Sequence, residues 1–517
     1  MRGLPVWIAC ALCAFGLAST PERRANAQAA AQPPIVLPTI GGVRWTPEAI
    51  AKLDADIDAL LANAPTVRGA HLGIDAIDTA TGAVLYARGA DDEVQPASTL
   101  KLVVGSAALE KLTPRFVFHT TYRTFPVGAV DVVDAVMGGD PFLTAADLAE
   151  AARAVAASSL DSAWLGRRKV MVIDASHDDA RPYPAGWTWD DFGQAYAPRV
   201  SAADLEEGLV HLIVTPSTVA NAAPTVRTNS VAEVRPAIAD DALTCAAARE
   251  DAPIVRSLAT TGIAGSDDTL DVTAGPGRCI DVIGSIPRGA PPEAVDAAVP
   301  DPVAYARATA NAALQTVGLA VASSAAIGSP VAANPRTIWA HESPPLATFL
   351  GPRFWIPSDN LVGELLLKEL GFASAGKPGT TGGGIAYEKL WLQSIGVDTA
   401  TVTLADGCGM SQYDRITAHD LVAILQHDWQ GPNRALVLAS LPVGGARGTI
   451  EGIAGTTVAG RVFAKTGSMM HVRGLAGYVA TVRHGAVTFA FEVDDWNGDY
   501  PALAALRAAV LARIADD

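Results

Sequence analysis

The chain has 517 residues, 50% hydrophobic, 18% charged and 6% aromatic, a globular composition long enough for two or three domains of roughly 100–200 residues each. Its formal net charge of −16 argues against nucleic acid or an anionic membrane as the main partner. After the N-terminus, Pro, Gly and charged residues break every alanine-rich run well short of the roughly 18 apolar residues of a membrane span.

In chain order, Arg2 precedes an apolar run from Leu4 to Ala18, and Ala25-Asn26-Ala27 offers a small-x-small cleavage site. That is the pattern of an export signal over 1–27, and it predicts an exported, periplasmic protein with no integral membrane segment in the mature chain. Residues 28–44 are rich in Ala and Pro and read as a loose leader. A helix starts at Thr46-Pro47-Glu48, with an N-cap candidate, Pro in the first turn and an early acid, and Ile50, Leu53, Ile57, Leu60 and Leu61 keep helical spacing. His71–Asp78 and Ala83–Arg88 read as a hairpin across Thr79–Gly82. Pro96-Ala97-Ser98 then leads into a helix from Thr99 to Leu112. At the far end, Val462–Ser468, Arg473–Val482 and Val487–Val493 read as strands, followed by a helix from Pro501 to Ala515.

Terminal helices flanking an antiparallel sheet make an α+β domain, assigned to 45–115 plus 334–517. The intervening 116–333, punctuated by Pro and Gly, reads as one inserted region of one or two β-rich subdomains. Of the five cysteines, Cys10 and Cys13 fall inside the signal. Cys245 and Cys279 could pair in an oxidising compartment or stand as separate buried thiols, and Cys408 is left over.

The chemistry is carried by three short motifs in fixed order. Ser98-Thr99-Leu100-Lys101 offers a nucleophile at a helix N-terminus and a lysine on the same helix face. Ser358-Asp359-Asn360 adds a hydroxyl and an amide, and Lys465-Thr466-Gly467 a cation, a hydroxyl and a glycine. Ser-x-x-Lys alone is weak evidence, since Ser374-Ala375-Gly376-Lys377 also fits it. That copy lies in a Gly-rich stretch, Ser374–Gly384, which reads as a solvated loop with no helix to orient it. Ser-x-Asn and Lys-Thr-Gly each occur once, in the expected order. An ammonium is not a base, so Lys101 needs burial and a neighbouring cation, for which Lys465 is placed, to lower its pKa. Ser358 can relay a proton to the leaving amine, while Asn360 can hold the substrate amide. Lys465 and Thr466 suit a terminal carboxylate. At Gly467 a Cβ is expected to obstruct the acyl group, and the backbone N–H groups of Ser98 and Ser468 are the oxyanion-donor candidates.

No Gly-x-Ser-x-Gly or His-Glu-x-x-His occurs, and His419 and His427 share a helix without a third ligand, so no metal site is expected. With these motifs in place, the chain resembles the penicillin-binding and serine β-lactamase superfamily. More closely it resembles D-alanyl-D-alanine carboxypeptidase/endopeptidases of the penicillin-binding protein 4 type, through Gly82–Tyr86, Pro96–Leu102, Gly139-Asp140-Pro141, Trp189–Phe192, Ala197–Leu205, Ser358–Glu364, Asp406–Ser411 and Lys465–Gly467. The resemblance implies a transpeptidase-type α+β domain carrying a large insertion after the nucleophile helix. It also implies cleavage of the terminal D-Ala from peptidoglycan stem peptides, with cross-link cleavage beside it, inhibition by β-lactams, and no cofactor. It makes Asp191 the candidate for reading diaminopimelate. The family's Asp-Gly-Ser-Gly-Leu-Ser stands here as Asp406-Gly407-Cys408-Gly409-Met410-Ser411, with Cys408 replacing a serine. The rivals are a serine β-lactamase and a non-catalytic cell-wall scaffold of the same fold.

Overall fold

Thr46 accepts the Ala49 N–H at 3.2 Å and caps the first helix, Pro47–Ala62, as its Thr-Pro-Glu start requires. This is a computed structural model describing residues 33–39, 41–158, 167–236, 245, 252–275, 277–327, 335–376 and 378–516. The expected export signal lies outside the described residues. The end of the expected leader is laid against the domain: Val36 N donates to Gly460 O at 2.9 Å and Val43 N to Arg483 O at 2.7 Å.

The main sheet has five antiparallel strands in the spatial order Val462–Met469, Val472–Ala480, Ala486–Asp494, His71–Asp78, Val84–Arg88. Both faces are buried, and the two-residue period of a strand sorts its side chains. Leu475, Val479, Phe489, Phe491 and Ile74 pack with Leu53, Ile57, Leu503 and Leu511 of the terminal helices Pro47–Ala62 and Tyr500–Asp516. Ala476, Tyr478 and Ala490 pack on the other side with the helical lobe, through Leu102, Leu365, Leu421 and Ile424.

Two helices of that lobe are enclosed on all sides, which marks them as interior elements. Lys101–Lys111 is buried from Lys101 through Leu109, and Asn360–Ala375 from Leu361 through Gly371. Gly105 lets Trp355 pack on the first of them: a Cβ there would stand 2.5 Å from the Trp355 ring, whose Nε1 donates to Lys101 O at 2.9 Å. The Gly-rich stretch expected as a loop is instead largely helical. Ser374 ends the helix Asn360–Ala375, and Thr380 caps a new helix, Thr381–Ser394, by accepting the Gly383 N–H at 2.9 Å. Gly384 of this stretch and Gly371 before it sit where a Cβ would meet the neighbouring segment's backbone.

The intervening region is less purely β than expected. Its largest sheet runs in the order Ala322–Ile327, Arg168–Asp174, Val130–Met137, His119–Val127, Arg336–Glu342, with the helices Ala145–Ser158 and Pro302–Thr316 packed in the same core. Strand Arg336–Glu342, expected to have returned to the main domain, pairs instead with His119–Val127. Smaller sheets of three, four and two strands complete the region. Cys245 and Cys279 form a disulfide with Cα atoms 5.6 Å apart, anchoring the start of strand Cys279–Ile283.

Candidate active site

The chain from Ala97 to Leu100 forms a single 3₁₀ turn that feeds directly into the helix Lys101–Lys111. Ser98 is half-buried on this turn, and the residue before it, Ala97, is held at φ 47°. Ser358 is likewise at φ 65°. Positive φ is costly for residues with a Cβ, and the surroundings must hold both in place. Gly409 supplies part of that hold by packing its backbone against the Ala97 carbonyl.

Three acceptors surround the Lys101 ammonium nitrogen: Ser98 Oγ at 2.9 Å, Asn360 Oδ1 at 2.6 Å and Cys408 O at 2.7 Å. Lys101 is fully buried, and burial lowers its pKa. A neutral amine has two N–H groups and one lone pair. Asn360 Oδ1 and Cys408 O can take the two N–H groups, which leaves the lone pair directed at the Ser98 hydroxyl. Lys465, also fully buried, donates to Ser358 Oγ at 2.9 Å and to Thr466 O at 2.8 Å. Burial holds Lys465 well below the ordinary lysine range, and the Lys101 charge lowers it further. Burial is the larger cause at both lysines, and the repulsion between the two cations disfavours charging both at once.

The three motifs thus converge, Ser98 with Lys101 and Asn360, and Ser358 with Lys465. Asn360 is engaged at both ends, because Nδ2 donates to Tyr196 O at 2.7 Å and lies 3.0 Å from Met410 Sδ. Its side chain ties Lys101 to the inserted region.

Strand Val462–Met469 is an edge strand. Its outer side is covered at one end, where Gly444 N donates to Val462 O at 2.9 Å and Ala464 N to Pro442 O at 3.1 Å. Backbone groups of alternate residues point the same way in a strand, so Thr466 and Ser468 also present theirs outward, beyond that cover. Ser468 is exposed. Gly467 faces inward, and a Cβ there would overlap the Pro96 carbonyl oxygen and stand 3.2 Å from Thr99 N. The glycine is thus needed for contact with the turn bearing Ser98. Gly467→Ala is expected to displace the turn and slow Ser98 acylation roughly a hundredfold, as about an ångström of misplacement can. A time course of penicillin adduct formation checks this, and a rate within about threefold of the parent would refute it.

The 406–411 loop delivers the Cys408 carbonyl. Asp406 accepts four N–H bonds, from Trp187 Nε1 at 2.8 Å, Cys408 N at 3.1 Å, Gly409 N at 2.6 Å and Ser411 N at 2.7 Å. Glu364 Oε1 accepts Gly407 N at 2.8 Å. Burial, then the Asp406 charge, pushes Glu364 up to about 8. Gly363 and Gly407 meet back to back, since a Cβ on Gly407 would stand 2.5 Å from Gly363 O. Donor atoms of Glu364, Asp406 and Cys408 lie within 4.8 Å of one another. Both Asp406 oxygens are already taken by N–H groups, and burial raises the Cys408 thiol pKa well above its ordinary value, so the chemistry of this set fits a brace for the loop better than a metal centre.

Asp191 sits apart from the motif residues. Its Oδ2 accepts Thr188 Oγ1 at 2.6 Å in a capping box, and its Oδ1 accepts Tyr196 OH at 3.0 Å. Through the Tyr196 carbonyl this segment reaches Asn360. Sequence reasoning missed Tyr196, Trp187 and Asp406 as parts of the site. Asp406 stood within a quoted motif but carried no role, and the other two gave no signal, since their partners lie 164 and 219 positions away.

Comparison with known proteins gives the family and the fold. The family model described as D-Ala-D-Ala carboxypeptidase 3 (S13) matches residues 53–514. A D-alanyl-D-alanine carboxypeptidase from Actinomadura sp. is 32% identical over 486 residues, covering 90% of this chain and 85% of the relative. The crystal structure of penicillin binding protein 4 from Haemophilus influenzae superposes with a TM-score of 0.75 at 19% identity, covering 89% of this chain and 99% of that one. The same protein complexed with a β-lactam superposes with a TM-score of 0.70 at 18% identity, covering 89% of this chain and 100% of that one.

Proposed function

The chain belongs to the D-Ala-D-Ala carboxypeptidase 3 (S13) family, and from this premise we propose that its three motifs act as one acyl-transfer site with Ser98 as the nucleophile. The protein is a serine-type D-Ala-D-Ala carboxypeptidase with the penicillin-binding protein 4 architecture. The observation that carries the residue assignments is the environment of Lys101, a buried amine with two carbonyl acceptors and one serine hydroxyl in reach.

In this reading neutral Lys101 takes the Ser98 proton as Ser98 Oγ attacks the carbonyl of the penultimate D-Ala. The oxyanion develops against the N–H groups of Ser98 and Ser468. An extended stem peptide adds alongside the open part of strand Val462–Met469, with its terminal carboxylate at Lys465 and Thr466. Ser358, held by Lys465, relays the proton that Lys101 took from Ser98 to the leaving D-Ala amine, so that Ser358 keeps its hydroxyl and Lys101 returns to the neutral form. Water then hydrolyses the Ser98 ester, with Lys101 again as base. Asp191 is assigned to the amino end of a diaminopimelate side chain, supported by its link through Tyr196 to Asn360. A β-lactam presents the same amide beside a carboxylate and acylates Ser98.

The Cys245–Cys279 disulfide and the export-signal pattern support action in the periplasm. Among the described residues no helix is long and apolar enough to cross a membrane.

The test is to incubate the protein with penicillin, follow its intact mass over hours, map the adduct by digestion, and assay D-Ala release from a diacyl-D-Ala-D-Ala peptide. A persistent single adduct on the Ser98 peptide, with D-Ala release, is expected. Rapid loss of the adduct with drug turnover would move the assignment to a β-lactamase. Absence of any adduct would leave a scaffold.

A further inference from the structure

Thr466 has a close partner at the open end of the edge strand. Its Oγ1 lies 2.5 Å from Thr449 Oγ1, and the loop bearing Thr449 is tightly held. Val443 N donates to Arg447 O at 2.7 Å, and Gly445 N to Ile450 O at 2.9 Å. Arg447 Nη2 donates to the carbonyls of Ala439 and Leu441, each at 2.8 Å. Gly448, at φ 83°, packs against Pro442 and Ile356, the latter two residues before Ser358. The loop therefore fixes Thr449 to the same frame that carries Ser358 and Lys465.

Two hydroxyls at this distance share one proton. One donates, and the acceptor keeps its own proton for another partner. We propose that Thr449 is a positioning residue for the substrate's terminal carboxylate: it donates to Thr466 Oγ1, which turns the Thr466 proton outward to the carboxylate. This rests on the carboxypeptidase reading above, in which Thr466 meets that carboxylate. The direction follows from chemistry. A carboxylate only accepts hydrogen bonds, so its arrival requires Thr466 to donate outward, and Thr466 can do so while hydrogen-bonded to Thr449 only if Thr449 is the donor between them. A chain of donors aligned in one direction also polarises each bond along it. Lys465 does not set the direction of the Thr466 proton, since its Nζ bonds to Ser358 Oγ and to the Thr466 carbonyl, not to the Thr466 hydroxyl.

Thr449 acts through Thr466 and touches no reacting atom, so its loss is read in carboxylate recognition. The experiment compares the parent, Thr449→Val and Thr449→Ser on a diacyl-D-Ala-D-Ala peptide and on the same peptide with its C-terminus amidated. Thr449→Val is expected to raise KM for the free carboxylate roughly three- to tenfold, the scale of one hydrogen bond, with kcat within about twofold. Its kcat/KM on the amidated peptide should stay at the parent's, and Thr449→Ser should restore the parent KM. The proposal fails if Thr449→Val is unchanged on the free carboxylate, or loses the same factor on both peptides. It also fails if Thr449→Ser loses as much as Thr449→Val, because the methyl packing would then be responsible. A parent protein that releases no D-Ala from the free peptide would overturn the carboxypeptidase reading itself, and this inference with it.

Discussion

Replacing Lys101 with methionine is expected to slow acylation of Ser98 by about a thousandfold, within the range assigned to a positioned general base. The argument is local. Lys101 Nζ is 2.9 Å from Ser98 Oγ, and among the described residues no other basic group is in contact with that hydroxyl. Methionine is near in volume and carries no charge, so it fills the same buried space without demanding the carbonyls of Asn360 and Cys408. It leaves the Asn360 Oδ1 and Cys408 O acceptors unpaired, at about 1–3 kcal/mol each, so the thermal midpoint should fall while staying above the assay temperature. That separates a chemical defect from an unfolded protein. The pH dependence carries the same signature. Burial lowers the Lys101 pKa, so the neutral, base-competent fraction grows as pH rises through that lowered value. The acylation rate of the parent should therefore climb with pH and reach its plateau below the ordinary lysine range. Lys101→Met should lose this limb. Stopped-flow or mass-resolved acylation rates across pH decide the matter, and a variant that keeps the parent's rate and limb would remove Lys101 from the role of base.

Asp406→Ala should have the largest effect on stability, a loss of about 3–5 kcal/mol. One carboxylate accepts from Trp187 Nε1 and from the backbone N–H groups of Cys408, Gly409 and Ser411. Alanine leaves all four without that acceptor in a buried setting, and each unsatisfied buried donor costs about 1–3 kcal/mol before the loop relaxes. The damage should reach the chemistry as well, because the same loop presents Cys408 O to Lys101 at 2.7 Å. Urea denaturation measures the first effect, and penicillin acylation below the transition temperature measures the second. A midpoint close to the parent's would mean that the back-to-back packing of Gly363 and Gly407 holds the loop unaided.

Much of the main domain could be read from local pattern. Thr46-Pro47-Glu48 is a capping sequence, and it caps; the three C-terminal strands appear within a few residues of their expected ends. Such features depend on neighbours in the chain. The stretch from Ser374 to Gly384 was misread because glycine is ordinarily a breaker, whereas here Gly371 and Gly384 allow two helices to pack closely. Strand Arg336–Glu342 falls outside the domain expected for it because its partner, His119–Val127, lies more than two hundred residues earlier, and nothing local names an antiparallel partner at that distance.

The site divides the same way. The sequence by itself determined the chemical inventory: a serine and a lysine one helical turn apart, a second serine with an asparagine, and a lysine followed by threonine and glycine. Those groups are encoded in short motifs because each pair must share one turn or one strand. What the groups do to each other comes from how the chain packs. Burial, a property of the whole packed lobe, lowers the Lys101 pKa. Asp406, through four N–H bonds, brings a carbonyl to that lysine from 307 positions away. Gly467 is required by the turn at Pro96, and Thr449 meets Thr466 only because a separate loop is pinned beside the edge strand. Proximity between distant segments is set by packing of the whole chain, and no local motif records it.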